Sequence, residues 1–276
     1  MNNVEIGIIG GTGGIGRWFA DHFRKEGYGV HCTGRQSGMR IPEIAARCRV
    51  VIVSVPIAAT REVIDQVGPL LPEDSLLMDF TSLKEGPVQQ MLNATRAEVV
   101  GCHPLFGPDR PSLEGQNVIL CPARGERWLR WTERLLVKAG ARVTLTSPET
   151  HDRMMALVQG LTHLETVLMA LTLRESGEQP SSLEAFSTPV FRTRQAIAGK
   201  VLAHPALYAG LIAGNPQMAA VLEVYEGQLA RLKKRILEGD TAGMAALLEE
   251  ADPVPDTPPE PAGKSNASRE IPEGGH

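Results

Sequence analysis

A short β-branched run from Val4 to Gly10 leads directly into Gly11-Thr12-Gly13-Gly14-Ile15-Gly16, and then into an amphipathic helix, Ile15 to Glu26. No other stretch limits the fold as much. Gly11, Gly13 and Gly16 meet the G-x-G-x-x-G spacing directly after a strand and at a helix start. The chemistry behind that spacing is a tight turn, a close backbone approach to a pyrophosphate, and close packing of helix on sheet, with the anion at the helix N-terminus. The expected element is the first strand–turn–helix unit of a dinucleotide-binding sheet.

The following pattern extends that unit. Strands are expected at Tyr28 to Thr33, Arg49 to Pro56, Leu76 to Phe80, Ala97 to Cys102, Asn117 to Leu120 and Arg142 to Leu145, with helical patterns such as Glu126 to Lys138 between them. The nearly continuous apolar run RVVIVSVP reads as a strand buried on both faces. Alternating units of this kind predict an α/β fold with a Rossmann-type, doubly wound, largely parallel sheet over residues 1–150.

From Thr150 to about Glu250 the strand pattern stops. Apolar residues from Met154 to Leu171 surround most of one helix, which predicts burial and a partner surface. Further helices are expected at Thr193–Leu202, Pro205–Ala213, Met218–Leu237 and Thr241–Glu249. Residues 151–252 are therefore read as an all-helical domain whose surplus apolar surface suits dimerisation; its part in substrate binding is what the family resemblance given below implies. The last 24 residues hold six prolines, three glycines and no aromatic side chain, and 253–276 are expected to be a disordered tail.

A net charge of -4 over 276 residues gives no electrostatic reason for nucleic acid or an anionic membrane as partner. No apolar run is expected to approach the ~20 residues of a membrane span. Cys32, Cys48, Cys102 and Cys121 are scattered without a C-x-x-C pair. They read as free thiols of a reducing, cytoplasmic setting, with no metal site.

The cofactor half of the site is expected at Gly11, Thr12, Gly13, Gly14, Ile15 and Gly16. After the second strand come Thr33, Arg35 and Ser37, with no Asp or Glu at that turn to take ribose hydroxyls. A guanidinium and two hydroxyls suit a 2′-phosphate, and one Arg–phosphate hydrogen bond is worth roughly 1.5–3 kcal/mol. The expected cofactor is NADP, with NAD possible; Arg35 also reads as a solvated surface residue. Ser54, Val55 and Pro56 either cover the nicotinamide half of the crevice or form an ordinary loop.

His103 follows a strand at its carboxyl end, where open α/β sheets bind ligands. Pro104, Gly107 and Pro108 stiffen the loop behind it. Gly101-Cys102-His103-Pro104-Leu105-Phe106-Gly107-Pro108-Asp109 resembles a signature of the prephenate dehydrogenase family, which includes arogenate dehydrogenases. Asp79-Phe80-Thr81-Ser82-Leu83-Lys84, His151-Asp152, Gln159-Gly160-Leu161-Thr162-His163 and Ser187-Thr188-Pro189-Val190-Phe191-Arg192 are similar to further family motifs, in the same order, across about residues 4 to 235.

The resemblance implies a nucleotide domain followed by a helical dimerisation domain, with a homodimer as the assembly. It implies His103 as the catalytic acceptor of a ring hydroxyl's hydrogen bond, and Ser82 as a second catalytic group orienting it. Ser82 also forms S-x-x-E with Glu85, a helix capping box. Arg192 corresponds to the arginine that takes a substrate carboxylate, although Arg194 could share that task. Gln159 and His163, four residues apart, would face the substrate; a core histidine is the other reading of His163. The implied substrate is a small cyclohexadiene dicarboxylate: prephenate, arogenate or 4-amino-4-deoxyprephenate.

Two rival readings stay open: another NADP-linked reductase of this architecture, or a non-catalytic NADP sensor. Reductases of that type usually use a lysine in the helical half, where Lys200 is the only one between Lys138 and Lys233.

Overall fold

The computed structural model describes residues 4–34 and 39–251. Arg35, Ser37 and the tail 253–276 lie outside the described residues.

Seven strands form one sheet: β1 (Glu5–Ile9), β2 (Gly29–Thr33), β3 (Val50–Val53), β4 (Leu76–Asp79), β5 (Glu98–Pro104), β6 (Asn117–Arg124) and β7 (Arg142–Leu145). Their order is β2-β1-β3-β4-β5-β6-β7, so the direction of winding reverses between β1 and β3. The strands β1 to β5 are mutually parallel. Between β5 and β6 the chain returns through residues 105–116 without a helix, so this pair is antiparallel. β5 is also longer than its sequence pattern indicated. It runs on through His103, which pairs with Ile119 of β6.

Helices cover both faces. One core layer holds Phe19 and Phe23 from α1 (Gly14–Lys25) and Trp128, Trp131 and Leu135 from α5 (Arg127–Lys138). The other sets α2 (Ile41–Arg47), α3 (Ile57–Val67) and α4 (Glu85–Ala94) against Val51, Leu77 and Val99. Val100 and Cys102 point into the first layer, and Val99 into the second. His103, two residues on from Gly101, alternates with Cys102 and so lies on the α4 side. Gly101 is required there, because a Cβ would stand 2.7 Å from Val88 Cγ2 and 2.9 Å from Lys84 Cδ.

The remaining chain is helical, as expected. It begins with α6 (Pro148–Met155), passes through a π-helical turn (Ala156–Leu161) and continues as α7 (Thr162–Glu175). Then follow α8 (Pro180–Ala185), α9 (Pro189–Leu202), α10 (Pro205–Ala213), α11 (Met218–Glu238) and α12 (Thr241–Glu249). Helix α9 starts four residues before the expected Thr193, because Thr188 accepts a hydrogen bond from the Phe191 N–H and Pro189 presets the first turn.

Residues up to Val224 form one compact unit and those from Tyr225 a second. Within the second, Asp240 caps α12 through the Gly243 N–H and pairs with Arg235, while Arg231 pairs with Glu250.

Two sequence expectations need correction. The helix rich in Leu, Val and Met is not buried within one chain: α7 has no buried residue, and Val158 is 61% exposed. Apolar positions on every side had suggested burial, but the chain itself does not cover them. Taken as one helix, Pro148–Glu175 is 28 residues long and, by length and composition alone, apolar enough to cross a membrane. The scattered polar residues within it hid that continuity.

Candidate active site

The glycine turn is built as its spacing demands. Gly10, which the sequence reading passed over, adopts φ 88°, and the loop turns on it. A Cβ on Gly16 would stand 2.5 Å from the Gly10 carbonyl oxygen and 3.0 Å from Ser54 Oγ. Gly11 is held as closely, with Cys32 Sγ 2.6 Å from such a carbon. Thr12, Gly13 and Gly14 are exposed and Ile15 is half-buried. Gly13 is the N-cap of α1 without a side-chain cap, and no acidic residue occupies the first turn. Open N–H groups at a helix start without a competing carboxylate fit a pyrophosphate. Arg17 Nη2 donates to the Thr12 carbonyl at 2.7 Å and braces the loop.

Thr33 ends β2, is buried, and its hydroxyl donates to the Met39 carbonyl at 2.6 Å. Ser54 is tied back to β1, its N–H donating to the Ile9 carbonyl at 2.7 Å. Val55 is half-buried beside it, and Pro56 is the N-cap of α3.

His103 is 3% exposed. Its Nδ1 lies 2.8 Å from Nε2 of His151, and Nδ1 of His151 lies 2.7 Å from Oδ1 of Asp152. The carboxylate of Asp152 also accepts from the backbone N–H of Lys84 (Oδ1, 2.8 Å) and of Glu85 (Oδ2, 2.9 Å). Asn215 Nδ2 donates to the Asp152 carbonyl at 2.8 Å. A buried line thus runs from the first turn of α4 through Asp152 and His151 to His103. In the sequence alone, His151-Asp152 stands out only as one of the family-like motifs, with no role attached. The available signal was a polar pair with no obvious solvent role, soon after the Ser147 cap that starts the helical half.

Burial lowers the affinity of His103 for a proton well below the ordinary imidazole range, and the neighbouring His151 and Lys84 act the same way. Lys84 is fully buried and forms an ion pair with Asp79. Cys102, next to His103, is held as a neutral, unreactive thiol, since burial pushes its proton affinity strongly upward.

Ser82 is half-buried in the turn between β4 and α4. Its expected capping box is not formed. Lys84 occupies the N-cap of α4, Asp152 takes the free N–H groups, and the Glu85 carboxylate accepts from Gln217 Nε2 at 2.9 Å. Gln159 lies in the π-helical turn, eight residues beyond His151, and His163 four residues further. At about 1.5 Å per residue, Gln159 is roughly 12 Å along the helix axis from His151. The His163 ring meets Tyr208 edge-on at 4.7 Å, and its buried Nδ1 has no hydrogen-bond partner.

The two candidate arginines diverge. Arg192 is paired with Glu184 at 3.0 Å and is 57% exposed, whereas Arg194 lines a cavity of about 140 Å³ between α7 and α9. Among the described residues no hydrogen bond or ion pair joins Arg192 to His103. Nor do three or more His, Cys, Asp or Glu side chains there form a metal-binding group.

The fold and glycine turn define a Rossmann-type dinucleotide-binding architecture with a helical extension, and a buried histidine at the end of β5. The family model described as prephenate dehydrogenase, nucleotide-binding domain, matches residues 23–145. The prephenate dehydrogenase, dimerization domain, matches residues 147–250. The chain belongs to the prephenate dehydrogenase family.

The "Probable arogenate/prephenate dehydrogenase" of Methanocaldococcus jannaschii is 35% identical, covering 90% of this chain and 60% of that protein. The "T-protein" of Haemophilus influenzae is 36% identical, covering 79% and 58%. The chain therefore spans about 60% of the length of these curated relatives. Among solved structures, prephenate dehydrogenase from A. aeolicus in complex with hydroxyphenyl propionate and NAD+ has a TM-score of 0.73 at 23% identity, covering 90% of this chain and 96% of that one. Synechocystis arogenate dehydrogenase has a TM-score of 0.70 at 18% identity, covering 90% and 97%.

Proposed function

We propose that the chain is an NAD(P)-dependent dehydrogenase that oxidatively decarboxylates prephenate or a close cyclohexadiene analogue, as a step toward tyrosine. One observation carries this reading: His103, held uncharged by burial, stands at the carboxyl end of β5 in a dinucleotide-binding sheet of this family.

An uncharged imidazole can accept the ring 4-hydroxyl's proton, and such a general base contributes ~10²–10⁴ in rate. A nicotinamide, when bound on the glycine turn, supplies the hydride acceptor. The proton of the 4-hydroxyl moves to His103 as hydride leaves ring C4. The bond from ring C1 to its carboxylate then breaks, carbon dioxide departs with its electron pair left in the ring, and the ring becomes aromatic. His103 returns the proton to the phenolate oxygen, so none is gained or lost overall. Ser82, in the turn before α4, would orient the imidazole or the hydroxyl. Gln159 and the unpartnered Nδ1 of His163 would meet the polar end of the substrate, and Arg192 a carboxylate. NADP is the proposed cofactor, on the sequence of the Arg35–Ser37 turn.

The helical half is proposed to join two copies in a homodimer. A dimerization-domain match and the uncovered apolar positions of Pro148–Glu175 support this. Residues 1–150 and 151–252 are the proposed domains, and a reducing cytoplasmic setting suits four unpaired cysteines.

The test mixes purified protein with NADP or NAD and, in turn, prephenate, arogenate and 4-amino-4-deoxyprephenate, following the absorbance of the reduced cofactor. Turnover of at least one substrate, lost by ~10²–10⁴ in His103→Asn, is expected. Tight cofactor binding without turnover of any substrate would show a sensor instead.

A further inference from the structure

His151 and Asp152 have no assigned part in the reaction, yet they are among the most completely buried polar residues in the chain, 2% and 0% exposed. Buried polar groups are retained at a cost unless their hydrogen bonds are complete and directional. Here the direction follows from donor and acceptor inventory. The Asp152 carboxylate already accepts two backbone N–H groups from the start of α4. As an acceptor only, it requires a proton on Nδ1 of His151, 2.7 Å away. With that ring neutral, Nε2 of His151 carries a lone pair. The 2.8 Å contact to His103 then requires the proton on Nδ1 of His103. The remaining nitrogen of His103, Nε2, is left as a bare acceptor.

We propose that Asp152 and His151 are positioning residues that hold His103 in the Nδ1–H tautomer, presenting the Nε2 lone pair to the substrate hydroxyl. This deepens the function proposed above and rests on His103 being its proton acceptor. The dyad fixes the orientation of the ring through a second ring instead of a carboxylate in direct contact. When His103 takes the hydroxyl proton at Nε2, its Nδ1–H still donates to His151, and the positive charge faces a line ending on the Asp152 carboxylate. No bond to hydrogen need break anywhere along that line. Because the proton returns to the product oxygen, the network has none to export, which suits a closed and buried arrangement.

The geometry also explains why the carboxylate sits one residue from its imidazole partner on α6. Asp152 caps α4, so the ring it orients is referenced to the same turn that carries Ser82 and Lys84. Rotation of His103 would cost the contact to His151, and rotation of His151 would cost the contact to Asp152.

The experiment has two arms on the full-length protein. In the first, histidine ring nitrogens are labelled with 15N and their tautomers read by NMR at neutral pH, without substrate. The expected result is a protonated Nδ1 and an unprotonated Nε2 on His103. In His151→Phe the Nδ1–H tautomer loses its majority; His103 showing Nε2–H in the unaltered protein would overturn the proposal. The second arm measures turnover. His151→Phe should lower kcat on the order of 10²-fold with KM changed little, within the range for a misplaced general base. His151→Gln places an amide oxygen near the former Nε2 and should recover most of that loss. Equal loss in both variants, or a change confined to KM, would overturn it. The two readings fail separately. If His103→Asn retains turnover, the proposed mechanism is wrong; if His103→Asn is inactive while His151→Phe keeps full kcat, only the positioning role is wrong.

Discussion

Lys84 and Asp79 form an ion pair in which neither side chain is exposed to solvent, joining the end of β4 to the start of α4. The Thr81 N–H adds a hydrogen bond to the same carboxylate oxygen at 3.0 Å, while Asp79 Oδ1 has no partner. Removing one charge of a buried pair strands the other, at a cost of about 3–5 kcal/mol. Lys84→Met should therefore lower the unfolding free energy by about that amount in urea titration. Asp79→Asn added to Lys84→Met should recover part of the loss. If the double variant is the less stable, the stranded charge is not the cause.

Gly16 and Gly101 each occupy a place where a methyl group has no room. Gly16→Ala meets backbone oxygen 2.5 Å away, so the helix must move off the sheet. We expect a destabilisation of about 1–3 kcal/mol together with weaker binding of the nicotinamide cofactor by titration calorimetry. Gly101→Ala meets the Val88 and Lys84 side chains instead. It should cost stability in the same range while leaving cofactor affinity near its original value.

Acid should weaken the fold through its histidines. Burial lowers the proton affinities of His22, His103 and His163 in the native state. Between those lowered values and the ordinary histidine value of about 6.5, the unfolded chain binds more protons than the folded one. Stability is thus fully present above about pH 7 and is lost as the pH falls below the ordinary value. The urea midpoint should drop between pH 7.5 and 5.5, and by less in His103→Asn. A midpoint that rises on acidification contradicts this assignment.

Assembly should respond to charge on the uncovered helical surface. Val158, Leu168 and Leu171 stand exposed on the helix from Pro148 to Glu175. Val158→Asp should shift the protein from dimer to monomer in sedimentation velocity, with circular dichroism unchanged. Persistence of the dimer would place the interface elsewhere.

The sheet was legible because its strands are short apolar runs separated by turn residues, a pattern that local chemistry sets. The glycine turn was legible for a similar reason, since close approach admits one residue type. The antiparallel return at β6 was not, because it depends on the absence of a helix between residues 105 and 116 and not on any residue in the strand itself. The His103–His151–Asp152 line escaped because its two histidines lie 48 residues apart and touch only once α6 is folded against the end of β5. The exposed state of α7 was misread because apolar composition records that a surface must be covered, but not by which chain.

The helix that places His151 against His103 is the same continuous rod that bears Val158, Leu168 and Leu171. Whatever seats on those side chains therefore grips one end of a lever whose other end sets the aim of an imidazole. If two copies meet there, as proposed, parting them would disturb the rod that carries His151.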